Sequence, residues 1–342
     1  MWRQTTRISE LQRYAQPGDR MTKIKKMLTA LAAATVIQAG AAHAEYPDQR
    51  INIIVPFVAG GATDIIARTI AADLASRFGQ PVTVENRAGG GTTVGTEAVV
   101  RSPADGYTLL FNSGALTIDV GFKKSLNYDV RKDLMPVTKA AWGPYAVLVY
   151  KEVPVKTLSE LIGHAKEKPT ALHMGSAGIG TMGHLAAAYL EARTDIKLTH
   201  VPFRGSAPAL TAVMGGHVQV LLDPPFTAMP AIESGETRAL AVTGARRSPL
   251  LPNVPTVAEL GFPGFAAGHW GGFFVPAGTP PAVIQKLNAA IVSSLQNPKV
   301  RDVLRGQGLE IIGNTPDEFR KEIDDEIELW SNVIRDSGIK PE

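Results

Sequence analysis

RINIIVPFVAGGATDIIARTIAADLASRFG, residues 50–79, changes its hydrophobic period at a single point. As far as Phe57 the apolar residues run almost without a break, as they do in a strand buried on both faces. From Thr63 or Asp64 to Phe78 they recur at helical spacing, and Gly79 supplies the stop. The loop between them, VAGGA, carries Gly60 and Gly61, which let the backbone bend and approach a guest closely, while Thr63 or Asp64 is expected to cap the helix. A strand that feeds a helix through a Gly-rich turn is the opening step of a doubly wound α/β unit, in which ligands sit outside the carboxyl ends of the strands.

Reading outward, the same grammar continues. PVTVENR (81–87) is a second strand, GGGTTVGTEAVVRS a Gly-rich turn into a helix, and DGYTLLFNSG (105–114) a third strand. After the extended stretch MPVTKAAWGPYAVLVYK (135–151), long enough to cross between lobes, the pattern repeats: a helix over 157–168, the strand ALHMGSAG, a helix over 181–193, the strand KLTHVPF, the helix SAPALTAVMGG and strands over 217–223 and 237–245. The Pro-rich run 248–265 reads as a structured return connection, AGHWGGFFVPAGTP as a return strand, and PPAVIQKLNAAIVSSLQ and PDEFRKEIDDEIELWSNVIRDS as closing helices. The expected fold class is α/β with largely parallel strands: two doubly wound lobes joined by a two-crossing hinge, lobe 1 comprising 45–143 and 266–342 and lobe 2 comprising 144–265.

Composition narrows the function. The 342 residues carry a formal charge of +3, but residues 1–44 hold seven basic side chains against Glu10 and Asp19, leaving 28 basic against 30 acidic residues from Glu45 onward. That balance removes the argument for nucleic acid or a membrane surface as partner. The basic segment from Met21 reads MTKIKK, then MLTALAAATVIQAGAA, then AHA: a positive n-region, a short apolar h-region and small residues for a peptidase acting after Ala44. The run is too short and too interrupted, by Gln38 and Gly40, for a spanning helix of ~20 residues. Residues 1–20 are expected to be an upstream extension, with Met21 the true start. The chain has no cysteine, which excludes disulfides, thiolate metal sites and lipid anchoring at a cleavage-site cysteine. Release as a soluble molecule that an outer membrane retains points to the periplasm.

GSAGIGT (175–181) places Gly178, Gly180 and Thr181 where the first turn has its glycines and Thr63. Helix N-termini at such turns offer unpaired N–H groups and a positive dipole, so a carboxylate is the natural guest. Gly178, Gly180 and Gly183 also spell G-x-G-x-x-G, but the next strand ends HVPFRG without the acidic residue a dinucleotide ribose requires, so no cofactor is expected. The histidines show no zinc spacing, His184 and His200 read as capping or core residues, and no nucleophile motif appears, so neither a metal nor catalysis is expected. Asp64 reads either as a first-turn acid favoured by the helix dipole or as part of a cleft rim. Asp223 could accept from a ligand or act as a cap or hinge, and Arg204 could pair with a carboxylate or be a solvated loop residue. Ser113 and Ser176, at strand ends, are better placed to donate to an anion.

The sequence resembles the Bug family, substrate receptors of tripartite tricarboxylate transporters. The likeness runs from Tyr46 to the C-terminal helices and rests on YPDQRINIIVPFVAGGATDIIAR, VTVENRAGGG, SPADGYTLL, LMPVTKA, SAGIGTMGHLAA, HVPFRGSAPALTAVMGGHV, RALAVTGARRSPLLPNVPTVAELG and WGGFFVPAGTP. It implies a type II periplasmic-binding fold with ligand carboxylates held by the two Gly-rich turns, partly through water. Carried over, Phe57, Gly60, Gly61, Ala62, Thr63 and Asp64 form one wall together with Ser113. Ser176, Ala177, Gly178, Gly180 and Thr181 form the other, with Asp223 near the distal end. Ala59 stands where proline is frequent in the family and Phe203-Arg204 where Tyr-Lys is common. The expected function is a monomeric receptor that delivers a small organic acid to membrane permease subunits of this transporter type. The rival readings are a ligand sensor for a membrane histidine kinase and, behind it, a periplasmic hydrolase.

Overall fold

The computed structural model describes residues 46–340, and the compact unit begins at Gln49. The expected leader 21–44 and the extension before it lie outside the described residues. Among the described residues no helix is long and apolar enough to cross a membrane.

The chain opens with β1 (Ile51–Val55), α1 (Ala62–Phe78), β2 (Val82–Asn86), α2 (Thr93–Val100), β3 (Thr108–Ser113), α3 (Ala115–Phe122) and a short α4 (Val130–Asp133). β4 (Leu134–Pro144) and β5 (Ala146–Tyr150) follow, separated only by Tyr145, and they belong to different sheets. Then come α5 (Leu158–Glu167), β6 (His173–Ser176), α6 (Met182–Thr194), β7 (Thr199–Pro202), α7 (Ser206–Met214), β8 (Val220–Asp223), α8 (Pro225–Glu233) and β9 (Thr237–Val242). The chain closes with β10 (Gly268–Pro276), α9 (Pro281–Leu295), α10 (Pro298–Gly306), β11 (Glu310–Ile311) and α11 (Pro316–Ser337).

One sheet has the order β2-β1-β3-β10-β4-β11 and the other β7-β6-β8-β5-β9. β1 runs parallel to β2 and β3, and β6 to β7 and β8, as βαβ units dictate. The remaining pairs are antiparallel, so the strands are less uniformly parallel than the sequence suggests. The cause is topological: β4, β5 and β10 are the strands by which the chain changes sheets, and each runs back along its new neighbours. Both sheets therefore have the reversal of strand order at which α/β folds place their ligands.

β1 is buried on both faces by Ile51, Ile53, Ile54 and Val55, which explains its unbroken apolar run. α1 turns Ile66, Ala67, Ile70, Ala71 and Leu74 inward at three- and four-residue spacing. The closing helix α11 starts with a capping box, Thr315 Oγ1 accepting from Glu318 N–H and Glu318 Oε2 from Thr315 N–H, behind which Pro316 sits at the first helical position. Its Phe319, Ile323 and Ile327 join the core of the first sheet, whereas Trp330, Val333 and Ile334 join the core of the second. One helix thus ties the two cores together.

Candidate functional site

The β1–α1 turn is held from beneath. Asp64, only 2% exposed, accepts from Gly60 N–H (2.8 Å), Asn86 Nδ2 (2.8 Å) and Arg68 Nε (2.9 Å). Asn86 Nδ2 also donates to the Phe57 carbonyl, so the end of β2 and the turn after β1 form one network. Burial opposes the charge on Asp64, but the Arg68 guanidinium, the Gly60 N–H and the Asn86 amide outweigh it and hold the carboxyl at about 2. The helix cap differs from the sequence reading. Gly61 is the N-cap, with no side chain capping it; Asp64 lies inside the first turn and spends its oxygens on Gly60 behind it, and Thr63 does not cap. The first-turn N–H groups stay uncovered by side chains.

The β6–α6 turn is held by its own polar groups. Ser176 Oγ lies 2.7 Å from His200 Nε2, receives Gly178 N–H (3.2 Å) and donates within reach of Gly178 O (3.0 Å). Thr181, the N-cap of α6, donates through Oγ1 to Gly178 O (2.8 Å), and Gly180 N–H donates to His184 Nδ1 (3.2 Å). His184 and His200 stack with centroids 3.7 Å apart and planes 9° from parallel. Burial, aided by the neighbouring ring, lowers His184 to about 4, and burial lowers His200 as well. Both rings are therefore neutral at neutral pH, and any attraction this turn has for an anion comes from backbone N–H groups. The histidines brace the turn, a role between the capping and core readings.

Both turns open on one cavity of about 470 Å³. Phe57, Ala62, Thr63 and Ser113 line it from one side, Gly180 and Thr181 from the other. Ser113 Oγ accepts from Ala115 N–H (3.3 Å), which leaves its own proton for a guest. Gly114 and Ala115 also line the cavity, so the start of α3, where Ser113 Oγ takes only the first N–H, is a third helix N-terminus at the same space. Apolar contacts cross the cleft in both directions. A Cβ on Gly180 would lie 2.6 Å from the Phe122 ring, and a Cβ on Gly114 would lie 2.6 Å from Met182 Cε. Each side supplies a glycine that receives a side chain of the other.

The other sequence-derived candidates do not line this cavity. Gly60 and Asp64 shape the first turn from behind, and Gly61 faces an adjoining hollow of about 410 Å³. Ser176, Ala177 and Gly178 shape the second turn, with the Ser176 hydroxyl engaged inside it. Arg204 is exposed on its loop. Asp223 is 3% exposed; burial raises its carboxyl to about 6 against the pull of hydrogen bonds from Thr227 and Ser206, a structural arrangement at the end of β8.

Sequence reasoning missed Asp119, Phe122, Lys123, Tyr145, His269 and Trp270, all of which line the cavity. Asp119 is 5% exposed and accepts from Thr92 Oγ1 (3.4 Å). Trp270 donates its indole N–H to Glu326 Oε2 (2.7 Å), which also accepts from Thr117 Oγ1 (3.2 Å), while Glu326 Oε1 accepts from Lys139 Nζ (3.5 Å). Burial raises the Glu326 carboxyl, with Lys139 pulling it back. Among the described residues no cluster of His, Asp and Glu is arranged to hold a metal ion.

Residues 66–339 match the family described as "Tripartite tricarboxylate transporter family receptor". The chain belongs to that family. Bordetella pertussis protein BugT is 36% identical over 94% of this receptor and 99% of its own length. An R. palustris protein solved with adipate superposes with a TM-score of 0.74 at 33% identity, covering 87% of the receptor and all of the neighbour. MatC from Rhodopseudomonas palustris, solved with bound malate, gives 0.70 at 33% identity over 84% of the receptor and all of MatC. The receptor thus has the two-lobed architecture of periplasmic binding proteins, and its cavity lies where strand order reverses in both sheets.

Proposed function

We propose that this receptor binds a small organic acid between the β1–α1 and β6–α6 turns and hands it to a membrane permease of the tripartite tricarboxylate type. The observation that carries the reading is the meeting of two Gly-rich turns, each the start of a helix, on one cavity. Fixed N–H donors at helix starts suit a carboxylate, and neither imidazole of the second turn has to be charged for this. Phe57, Ala62, Thr63, Ser113, Gly180 and Thr181 are the proposed contacts, and Gly60, Gly61, Asp64, Ser176, Ala177 and Gly178 set the shape of the turns. Residues 45–143 with 266–342 and residues 144–265 are the proposed halves that hinge on one another, through Tyr145 and the return into β10. The leader after Met21 would place the mature protein in the periplasm, and neighbours solved with adipate and malate support an acid as guest.

Delivery is tested by uptake of a radiolabelled acid that the purified protein binds, in cells with and without the receptor gene. Loss of uptake on deletion, restored by the wild-type gene and not by a binding-defective variant, is the expected result. Unchanged uptake together with loss of acid-induced transcription would replace the transport reading with the sensor reading.

A further inference from the structure

We propose that the guest is an acid with a single carboxylate on an apolar, ring-sized body, and that hydroxylated di- and tricarboxylates are poor ligands. The inference rests on the receptor reading and concerns the space between the two turns.

That space is walled by Ile66, Phe111, Ile118, Phe122, Met182 and Trp270. Trp270 offers the guest ring carbon, because its only polar atom is bonded to Glu326, which does not line the space. His269 and Gln307 also line the space; both ring nitrogens of His269 and Oε1 of Gln307 are buried there without a hydrogen-bond partner among the described residues. Burial also lowers His269 to about 4, so it adds no positive charge. Of the hydroxyl-bearing residues on the wall, Thr63, Ser113 and Thr181 sit at the helix starts, with Thr181 Oγ1 already donating to Gly178 O, and Tyr145 is the fourth. Away from the helix starts, Tyr145, His269 and Gln307 are the uncharged polar residues on a wall otherwise made largely of apolar side chains, and a guest hydroxyl left unpaired against that wall is costly. Flat aromatic walls instead favour a flat or apolar body.

Charge points the same way. Asp119 and Lys123 are the only ionised side chains among the described lining residues, and they are opposite in sign. Asp119 Oδ1 and Lys123 Nζ both lie within 4.0 Å of the position a Cβ would take on Gly91, so they stand together beside the first turn. The pair leaves the cavity without a net cation. The turns can compensate one carboxylate with N–H groups, while a second or third would be desolvated without a counter-charge. Phe122, packed against Gly180, sets the width of the space and is the proposed specificity determinant.

The test is calorimetric titration of the mature protein with 3-phenylpropanoate, cyclohexanecarboxylate and hexanoate, and with adipate, malate and citrate. The tightest single-carboxylate acid is expected to bind at least about tenfold more tightly than malate or citrate. Malate or citrate binding equally well or better would overturn the apolar-body claim, and adipate binding more tightly than every single-carboxylate acid would overturn the single-carboxylate claim. Binding by none of the six acids would instead defeat the receptor reading on which the inference stands. Ile179 lines the cavity but is 50% exposed, so Ile179→Lys adds a cation at the rim without disturbing a core. It should shift the malate-to-phenylpropanoate affinity ratio toward malate by about fivefold or more. An unchanged ratio would show that charge balance does not govern selection.

Discussion

Replacing Gly180 with alanine separates backbone strain from closure of the cleft. Gly180 has φ +73°, and its added Cβ would lie 2.6 Å from two atoms of the Phe122 ring and 2.9 Å from a third. Ordinary carbon contact is about 3.5–4.0 Å, so the ring would have to retreat by roughly 1 Å. The left-handed conformation costs an alanine about 1–2 kcal/mol whether the cleft is open or shut, so this part appears as lost stability. With the hinge proposed above, the clash exists only when the two sides meet, and overpacking of this kind costs about 1–3 kcal/mol. Ligand affinity should therefore fall roughly 5- to 150-fold, beyond any change in folding. Calorimetry of Gly180→Ala with the tightest acid measures the loss, and a double-mutant cycle with Phe122→Leu, which removes the two nearest ring atoms, assigns it. Most of the affinity should return in the double variant. Wild-type affinity in Gly180→Ala, or a loss that Phe122→Leu leaves untouched, would refute the cross-cleft packing.

Three further outcomes follow from the braces around the site. Asp64→Asn should lower stability by about 2 kcal/mol at neutral pH in urea titrations. In the wild type, the Asp64 carboxyl lies at about 2 in the fold against 3.8 ordinarily, so its contribution is whole above 3.8 and disappears as pH falls toward 2. His184 is held neutral at about 4 against 6.5 ordinarily, so stability should be full above 6.5 and decline as pH falls toward 4, a thermal-melt slope that His184→Asn flattens. Glu326→Ala strips Trp270 N–H of its acceptor, while Thr117 keeps the Gly114 carbonyl and Lys139 keeps Glu322 at 2.7 Å; a loss of about 3 kcal/mol and a changed tryptophan emission are expected.

The β1–α1 and β6–α6 turns were legible in the sequence because each sits where a buried strand gives way to helical spacing, with glycines at the break. Gly79 closing α1 in the left-handed conformation followed from the same local rules. α3 was missed: ALTIDVGF has eight residues, no side-chain cap and a buried set, Leu116, Thr117, Ile118, Asp119 and Phe122, that wraps more than one face. Its signal was the Ser113-Gly114 pair ending β3, which resembles the glycine breaks before α1 and α6. α8 was hidden by Pro225 and Pro230, the first tolerable at a helix start and the second an interior proline that sequence rules forbid. β11 is a two-residue edge whose existence depends on β4, far away in sequence. The hydroxyl of Ser176 illustrates the other limit. Strand-end position suggested a donor to a ligand, yet the partner that claims it, His200, comes from the next strand in space.

Ligand-induced stabilisation of the mature protein tests the central claim most directly. At a hundredfold excess over Kd a bound acid adds about 2.7 kcal/mol, readily seen as a rise in melting temperature. The predicted result is a saturable rise with a carboxylate, smaller at the same acid concentration in Gly180→Ala and unchanged in Arg204→Ala, whose side chain stands outside the cavity. A saturating rise with a sugar or a cation and none with any carboxylate would contradict an anion site built from the two turns.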